Sequence, residues 1–121
     1  MDIEQLRDYC LSKADVTECF PFDAETIVFK VNNKMFLLSN IHQTPIQFNV
    51  KCDPEKAIEL REEYPMAVMG GYHMNKKHWN TIIDNGDLSH EQLVEQIDHS
   101  YLLVAPKPKK TVKTVPMTEW C

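Results

Sequence analysis

The residues best equipped for chemistry fall in one run: Gly70-Gly71-Tyr72-His73-Met74-Asn75-Lys76-Lys77-His78-Trp79-Asn80-Thr81. Ammonium groups neutralise phosphate oxygens. Carboxamides and imidazoles pair with phosphates or base edges, and aromatic faces stack on bases. The glycine pair lets the backbone turn through conformations closed to other residues. Candidate contacts are therefore Tyr72, His73, Asn75, Lys76, Lys77, His78 and Asn80. Trp79 is expected to anchor its strand in a core rather than offer a stacking surface.

Bond-making chemistry finds less support. His73 and His78 share neither a helix face nor a strand face at their spacing, so they do not form a metal pair without a special loop. Asp98, His99 and Ser100 are adjacent on a helix, where neighbours do not face one another, and so they make no hydrolytic triad. A glycine-rich phosphate loop, GxSxG and HExxH are all missing from the sequence. The expectation is a non-enzymatic protein with no cofactor and no metal. An active site would have to gather His73, His78 and Asp98 or His99. The four cysteines, Cys10, Cys19, Cys52 and Cys121, lack CxxC spacing and read as free thiols.

The bulk numbers constrain partners. With 121 residues the chain suits one domain. Its net charge is −5, which repels nucleic acid over a Debye length of about 8–10 Å. Binding therefore needs a locally basic surface, and the 73–80 segment and the Lys-rich tail are the candidates. No stretch is long and apolar enough to span a membrane. The amino terminus runs straight into Asp2 and Glu4, unlike a signal peptide. A soluble, cytoplasmic protein is expected.

The elements that must position these residues are legible from periodicity. Residues 2–13 form a helix capped by Asp2 with Gln5, burying Ile3, Leu6, Tyr9 and Cys10. Cys19-Phe20-Pro21-Phe22 suits an edge strand or entry loop. Residues 26–39 form a hairpin about Asn32-Asn33, a type I′ turn, with Phe29 opposite Phe36 and Ile27 opposite Leu38. Residues 45–51 alternate, with Ile46, Phe48 and Val50 facing one way and Gln47, Asn49 and Lys51 the other. Asp53-Pro54 opens a second helix that Pro65 closes. Short strands follow at 66–69 and 79–84, then a turn at 84–87. Ser89 and Gln92 cap a third helix that buries Leu93, Ile97, Tyr101 and Val104 and stops at Pro106. Residues 106–121 read as an extended Pro/Lys-rich tail, with Val115 and Trp120 able to dock elsewhere. The fold class is α+β, an antiparallel sheet with helices on one face and the other face partly open.

Several of these pieces, read together, resemble the bacterial MmcQ/YjbR family. They are Phe20-Pro21-Phe22, Lys34-Met35-Phe36, Asn49-Val50-Lys51-Cys52-Asp53-Pro54, the run from Gly71 to Thr81, and Ile97-Asp98-His99-Ser100-Tyr101. The resemblance covers residues 1–105, and His73–Thr81 is its most specific part. It departs from the pattern at Asp23, where a glycine is expected after Phe22. The resemblance implies a CyaY/frataxin-like fold and a double-wing mode of DNA contact through projecting strand hairpins. The expected function is DNA binding, with phosphates met by the His73–Asn80 segment. The alternatives are a protein-interaction or dimerisation module using the same surface, and a frataxin-like iron binder using Asp2, Glu4, Asp8, Asp15 and Glu18.

Overall fold

The computed structural model describes residues 1–71 and 74–105. Helix α1 (Ile3–Leu11) begins with the reciprocal cap that its sequence dictates. The Gln5 N–H donates to the Asp2 carboxylate at 2.8 Å, and the Asp2 N–H donates to the Gln5 side chain at 3.0 Å. Strands β1 (Thr17–Cys19), β2 (Thr26–Val31) and β3 (Lys34–Asn40) follow. Asn32 and Asn33 sit at φ 55° and 61°, the left-handed pair that a two-residue hairpin turn demands.

The hairpin register differs from the expected one. Lys30 faces Met35, but Phe29 faces Leu37, Val28 faces Leu38 and Ile27 faces Ser39. Phe36 is therefore the extra residue of a bulge. The bulge lets two consecutive apolar side chains, Phe36 and Leu37, both reach zero exposure in the main core. Leu38 turns to the opposite face, beside Val28.

Strand β4 (Gln47–Lys51) keeps the alternation, with Phe48 and Val50 buried. Asp53 caps α2 (Pro54–Glu63), with proline in the first turn. Strands β5 (Val68–Gly70) and β6 (Trp79–Ile83) precede α3 (His90–Val104). That helix carries the Ser89–Gln92 capping box. Neighbouring strands are all antiparallel, in the order β1-β2-β3-β4-β6-β5. The fold is α+β.

One face of this sheet is covered. Leu6 and Cys10 of α1, Leu60 of α2, and Leu93, Ile97 and Val104 of α3 pack with Phe29, Phe36, Leu37, Phe48, Val50 and Ile82. A smaller cluster of Val28, Leu38 and Trp79 sits on the opposite face, flanked by Cys19, Met35 and Met74. No described helix is long and apolar enough to cross a membrane. The Pro106 stop, the tail with Val115 and Trp120, and Cys121 lie outside the described residues.

Polar ties lock the helices to one another. The Tyr9 hydroxyl and the Lys13 ammonium both donate to the Asp98 carboxylate at 2.5 Å, joining α1 to α3. Cys10, Cys19 and Cys52 are free thiols. Burial pushes the Cys10 thiol up to about 12, so it stays protonated and acts as a core residue.

His99 joins α3 to the start of α2 by accepting the Asp53 N–H on Nε2 at 3.1 Å. Burial lowers its pKa, the Lys56 cation lowers it further, and Asp53 pulls the other way. A histidine held neutral in the native state favours folding above the unfolded value of about 6.5, and that contribution is lost as pH falls through the lower native value. Urea unfolding between pH 7.5 and 5.5 is therefore expected to show stability falling in the wild type and a flatter profile in His99→Ala. Parallel profiles for the two proteins would remove His99 as the cause.

Candidate functional site

The described residues between β5 and β6 are tied together by several bonds to their own backbone. The Gly71 N–H donates to the Trp79 carbonyl at 2.9 Å, and the Met74 N–H donates to the Gly71 carbonyl at 3.1 Å. The Asn75 side-chain oxygen accepts the Lys77 N–H at 2.9 Å, an Asx turn. The Asn75 carbonyl accepts from His78 and Trp79 at 3.1 and 3.0 Å. The His78 carbonyl in turn accepts the Cys52 N–H at 2.8 Å, fastening the segment to the end of β4.

Arg61 of α2 clamps this segment from behind. Its Nε donates to Asn80 Oδ1 at 2.9 Å, and one terminal nitrogen donates to the carbonyls of Lys76 and Trp79. One planar cation thus gathers three oxygens from one side of the segment, a task suited to the guanidinium fork.

The glycine pair serves a different purpose from the one expected. Neither Gly70 nor Gly71 has a positive φ; among described glycines only Gly86 does. Space is the requirement. A Cβ on Gly71 would meet Trp79 Cβ at 2.7 Å and Met74 Cβ at 3.1 Å. A Cβ on Gly70 would meet the Lys76 stem at 3.1 Å, so that stem lies across the Gly70 backbone.

The expected contact residues divide. Asn75, Lys76, Lys77 and His78 are exposed. Neither lysine takes part in an ion pair among the described residues. Asn80 has no exposure and its oxygen holds Arg61, so its place as a surface contact is corrected. It faces the helices because β6 alternates, with Trp79 and Thr81 turned the other way. Trp79 is 6% exposed in the smaller cluster, as expected of an anchor. Tyr72 and His73 lie outside the described residues. His99 is bonded to Asp53 on the helical side.

The larger feature is the sheet face away from the helices. Cross-strand pairing aligns Cys19, Val28, Leu38, Asn49, Thr81 and Met69 in one row across all six strands. A neighbouring row brings Lys30 beside Met35, and Lys51 beside Trp79. The Lys51 ammonium stands 5.6 Å from the Trp79 ring centroid, a cation–π distance. The alternation of β4 already placed Gln47, Asn49 and Lys51 on this face. Lys34 pairs with Val31 and belongs to the other side.

Acids are unevenly shared between the described helices and strands. Glu18 is the only acid in a described strand. It is held by Arg7 of α1 through two 2.6 Å bonds, and this guanidinium keeps its carboxyl below the usual range. The helices carry Glu4, Asp8, Glu55, Glu59, Glu62, Glu63, Glu91, Glu95 and Asp98. Of the carboxylates in the iron reading, Asp2 caps α1 and Glu18 binds Arg7. The described residues include no group of three side chains able to hold a metal.

A recess opens on the outward face. It has a volume of about 540 Å³ and is lined by Phe22, Thr26, Leu38, Ser39, Asn40, Gln43, Gln47, Asn49 and Met74. Asp23 shapes the loop that carries Phe22, accepting the N–H groups of Glu25 and Thr26 at 2.9 and 2.8 Å. A carboxylate turn thus stands where a glycine is expected.

Known proteins share this frame. The YjbR family model matches residues 11–103, and the chain belongs to the YjbR family. It is similar to the Escherichia coli O157:H7 "Uncharacterized protein YbdF", 38% identical over 86 residues, covering 71% of this chain and 70% of that protein. It is also similar to the "Uncharacterized protein YjbR" of Escherichia coli strain K12, 29% identical over 101 residues, covering 84% and 85%. Among solved structures, Deinococcus radiodurans protein DR2400, described as a DUF419 domain, superposes with a TM-score of 0.84 at 41% identity, covering 91% of this chain and 83% of that one. A Pseudomonas syringae protein superposes with a TM-score of 0.70 at 27% identity, covering 86% and 99%.

Proposed function

We propose that this protein is a non-enzymatic nucleic-acid-binding protein whose contact surface is the outward sheet face together with the Asn75–His78 segment. The observation that carries this reading is the uneven placement of charge. A chain of net charge −5 carries nine acids on its helices and, among the described strands, only Glu18, while Lys30 and Lys51 stand on the outward sheet face. Lys76 and Lys77 add two exposed cations with no carboxylate partner among the described residues. A phosphate backbone approaching that face meets attraction locally, while the helical side repels it. Lys76, Lys77, Lys51 and Lys30 neutralise phosphates in this reading. His78 and the Asn75 carboxamide hydrogen-bond beside them.

Counterion release sets the expected size of the effect. Each phosphate neutralised contributes about −0.9 to the slope of log affinity against log salt on duplex DNA and about −0.7 on a single strand. Fluorescence anisotropy of labelled DNA across a salt series should give the Lys76→Ala/Lys77→Ala protein a slope shallower by about 1.4 to 1.8. Its unfolding midpoint should match the wild type, since both ammonium groups are exposed. An unchanged slope and affinity would remove these lysines from the interface. Light scattering on the same samples reads the competing dimerisation module directly.

A further inference from the structure

We infer that the recess on the outward sheet face is a binding pocket for one unstacked nucleobase, so that the protein takes hold of single-stranded nucleic acid. This deepens the nucleic-acid reading and relies on it only for the strand that delivers the base. The pocket's volume of about 540 Å³ falls among those of small-molecule sites. Phe22, Leu38 and Met74 give it apolar walls, and Asn40, Gln43, Gln47 and Asn49 give it carboxamides. Among the described residues no ionisable side chain lines it.

That lining selects the ligand class. A carboxamide offers a donor pair and an acceptor, the complement of a base edge. Part of this capacity is already committed: Asn40 Oδ1 accepts the His42 N–H at 2.8 Å, and Asn49 Oδ1 accepts the Thr81 hydroxyl. The amino groups of both asparagines remain as donors. The Gln43 and Gln47 carboxamides have no hydrogen-bond partner among the described residues and can both donate and accept. A charged ligand would find no counter-charge among the described lining residues. An aliphatic chain would strip water from these amides without replacing its hydrogen bonds. A neutral, flat group with an apolar face and a polar edge satisfies both halves, and Phe22, 63% exposed, is free to lie against that face.

The surroundings fit a strand. Lys51 is two residues beyond Asn49 on the same side of β4, about 7 Å along the strand. Met74 closes one wall and leads directly into Asn75-Lys76-Lys77. A base in the recess therefore brings its backbone towards Lys51 on the same face.

The test uses the full chain, isotopically labelled, with nuclear magnetic resonance following the side-chain amide signals of Asn40, Gln43, Gln47 and Asn49. Adenosine and thymidine, which carry no phosphate, should shift these signals. A short single-stranded oligonucleotide should bind more tightly than an abasic strand of equal length. Phe22→Ala should weaken the base-bearing strand about 5- to 150-fold, towards the abasic level, with the salt slope kept. Unmoved amide signals with equal binding of the two strands would overturn the pocket, and salt-sensitive binding in that case would leave the phosphate reading standing. Nucleoside shifts without salt-sensitive binding of strands would do the reverse. Shifts caused by an apolar peptide and not by nucleosides would also overturn the pocket.

Discussion

Replacing Arg61 with alanine is expected to destabilise the protein by about 3 kcal/mol and to lower its melting temperature by roughly 10 °C or more. The guanidinium donates to Asn80 Oδ1 and to the carbonyls of Lys76 and Trp79. Hydrogen bonds to a charged group contribute about 1.5–3 kcal/mol each, and stranding a buried acceptor costs about 1–3 kcal/mol. Asn80 is fully buried and its amino group lacks a partner among the described residues, so losing Arg61 strands its oxygen as well. The bonds share one side chain and do not add in full. Arg61→Lys should recover little, because an ammonium cannot span the three oxygens that the planar fork reaches. Urea unfolding of both variants measures this. A midpoint equal to the wild type in Arg61→Ala would show that the clamp contributes nothing. The effect reaches function because the same clamp holds the segment bearing Lys76 and Lys77, so DNA affinity should fall with neither lysine altered.

Gly71→Ala carries the second large effect. The new methyl would stand 2.7 Å from Trp79 Cβ and 3.2 Å from the Trp79 carbonyl oxygen. Neither is the end of a flexible side chain, so strand β6 or the 71–79 segment must shift. Overpacking of this kind costs about 1–3 kcal/mol. Gly70→Ala is the matched control, since the atoms nearest its methyl belong to the Lys76 stem at 3.1–3.2 Å, where a shift of a few tenths of an ångström relieves the contact. Unfolding midpoints should therefore rank wild type, Gly70→Ala, then Gly71→Ala, and the opposite order for the two variants would refute the spatial account. Because Trp79 joins Val28 and Leu38 in the outward cluster, the Gly71 variant should also disturb the sheet face beside the recess.

Much of the frame was legible locally. The Asp2–Gln5 and Ser89–Gln92 caps, the Asn32-Asn33 turn and the alternation of β4 each depend on residues a few positions apart, and each formed as its chemistry requires. The Phe36 bulge was hidden, because a simple two-residue hairpin implies an unshifted ladder and only the demand for core volume chose otherwise. Arg61 was missed for a related reason. Its partners lie 15 to 19 residues away, and no periodicity distinguishes it from any other helix arginine. Asn80 misled because it adjoins an exposed, cationic run, yet strand alternation turns it inward.

The chain by itself determined the α+β class, its caps and turns, the YjbR resemblance and the cationic segment, because those depend on short-range patterns of polarity and backbone preference. Only the tertiary structure decided which face each residue joins. Six strands in the order β1-β2-β3-β4-β6-β5 bring Lys30, Lys51 and Met74 to one side. The same order brings Phe22 beside Asn40, Gln47 and Asn49. Long-range strand pairing and the helices' choice of one face leave Lys30 and Lys51 on a sheet face whose described strands hold no acid but Glu18, a placement that a net charge of −5 conceals.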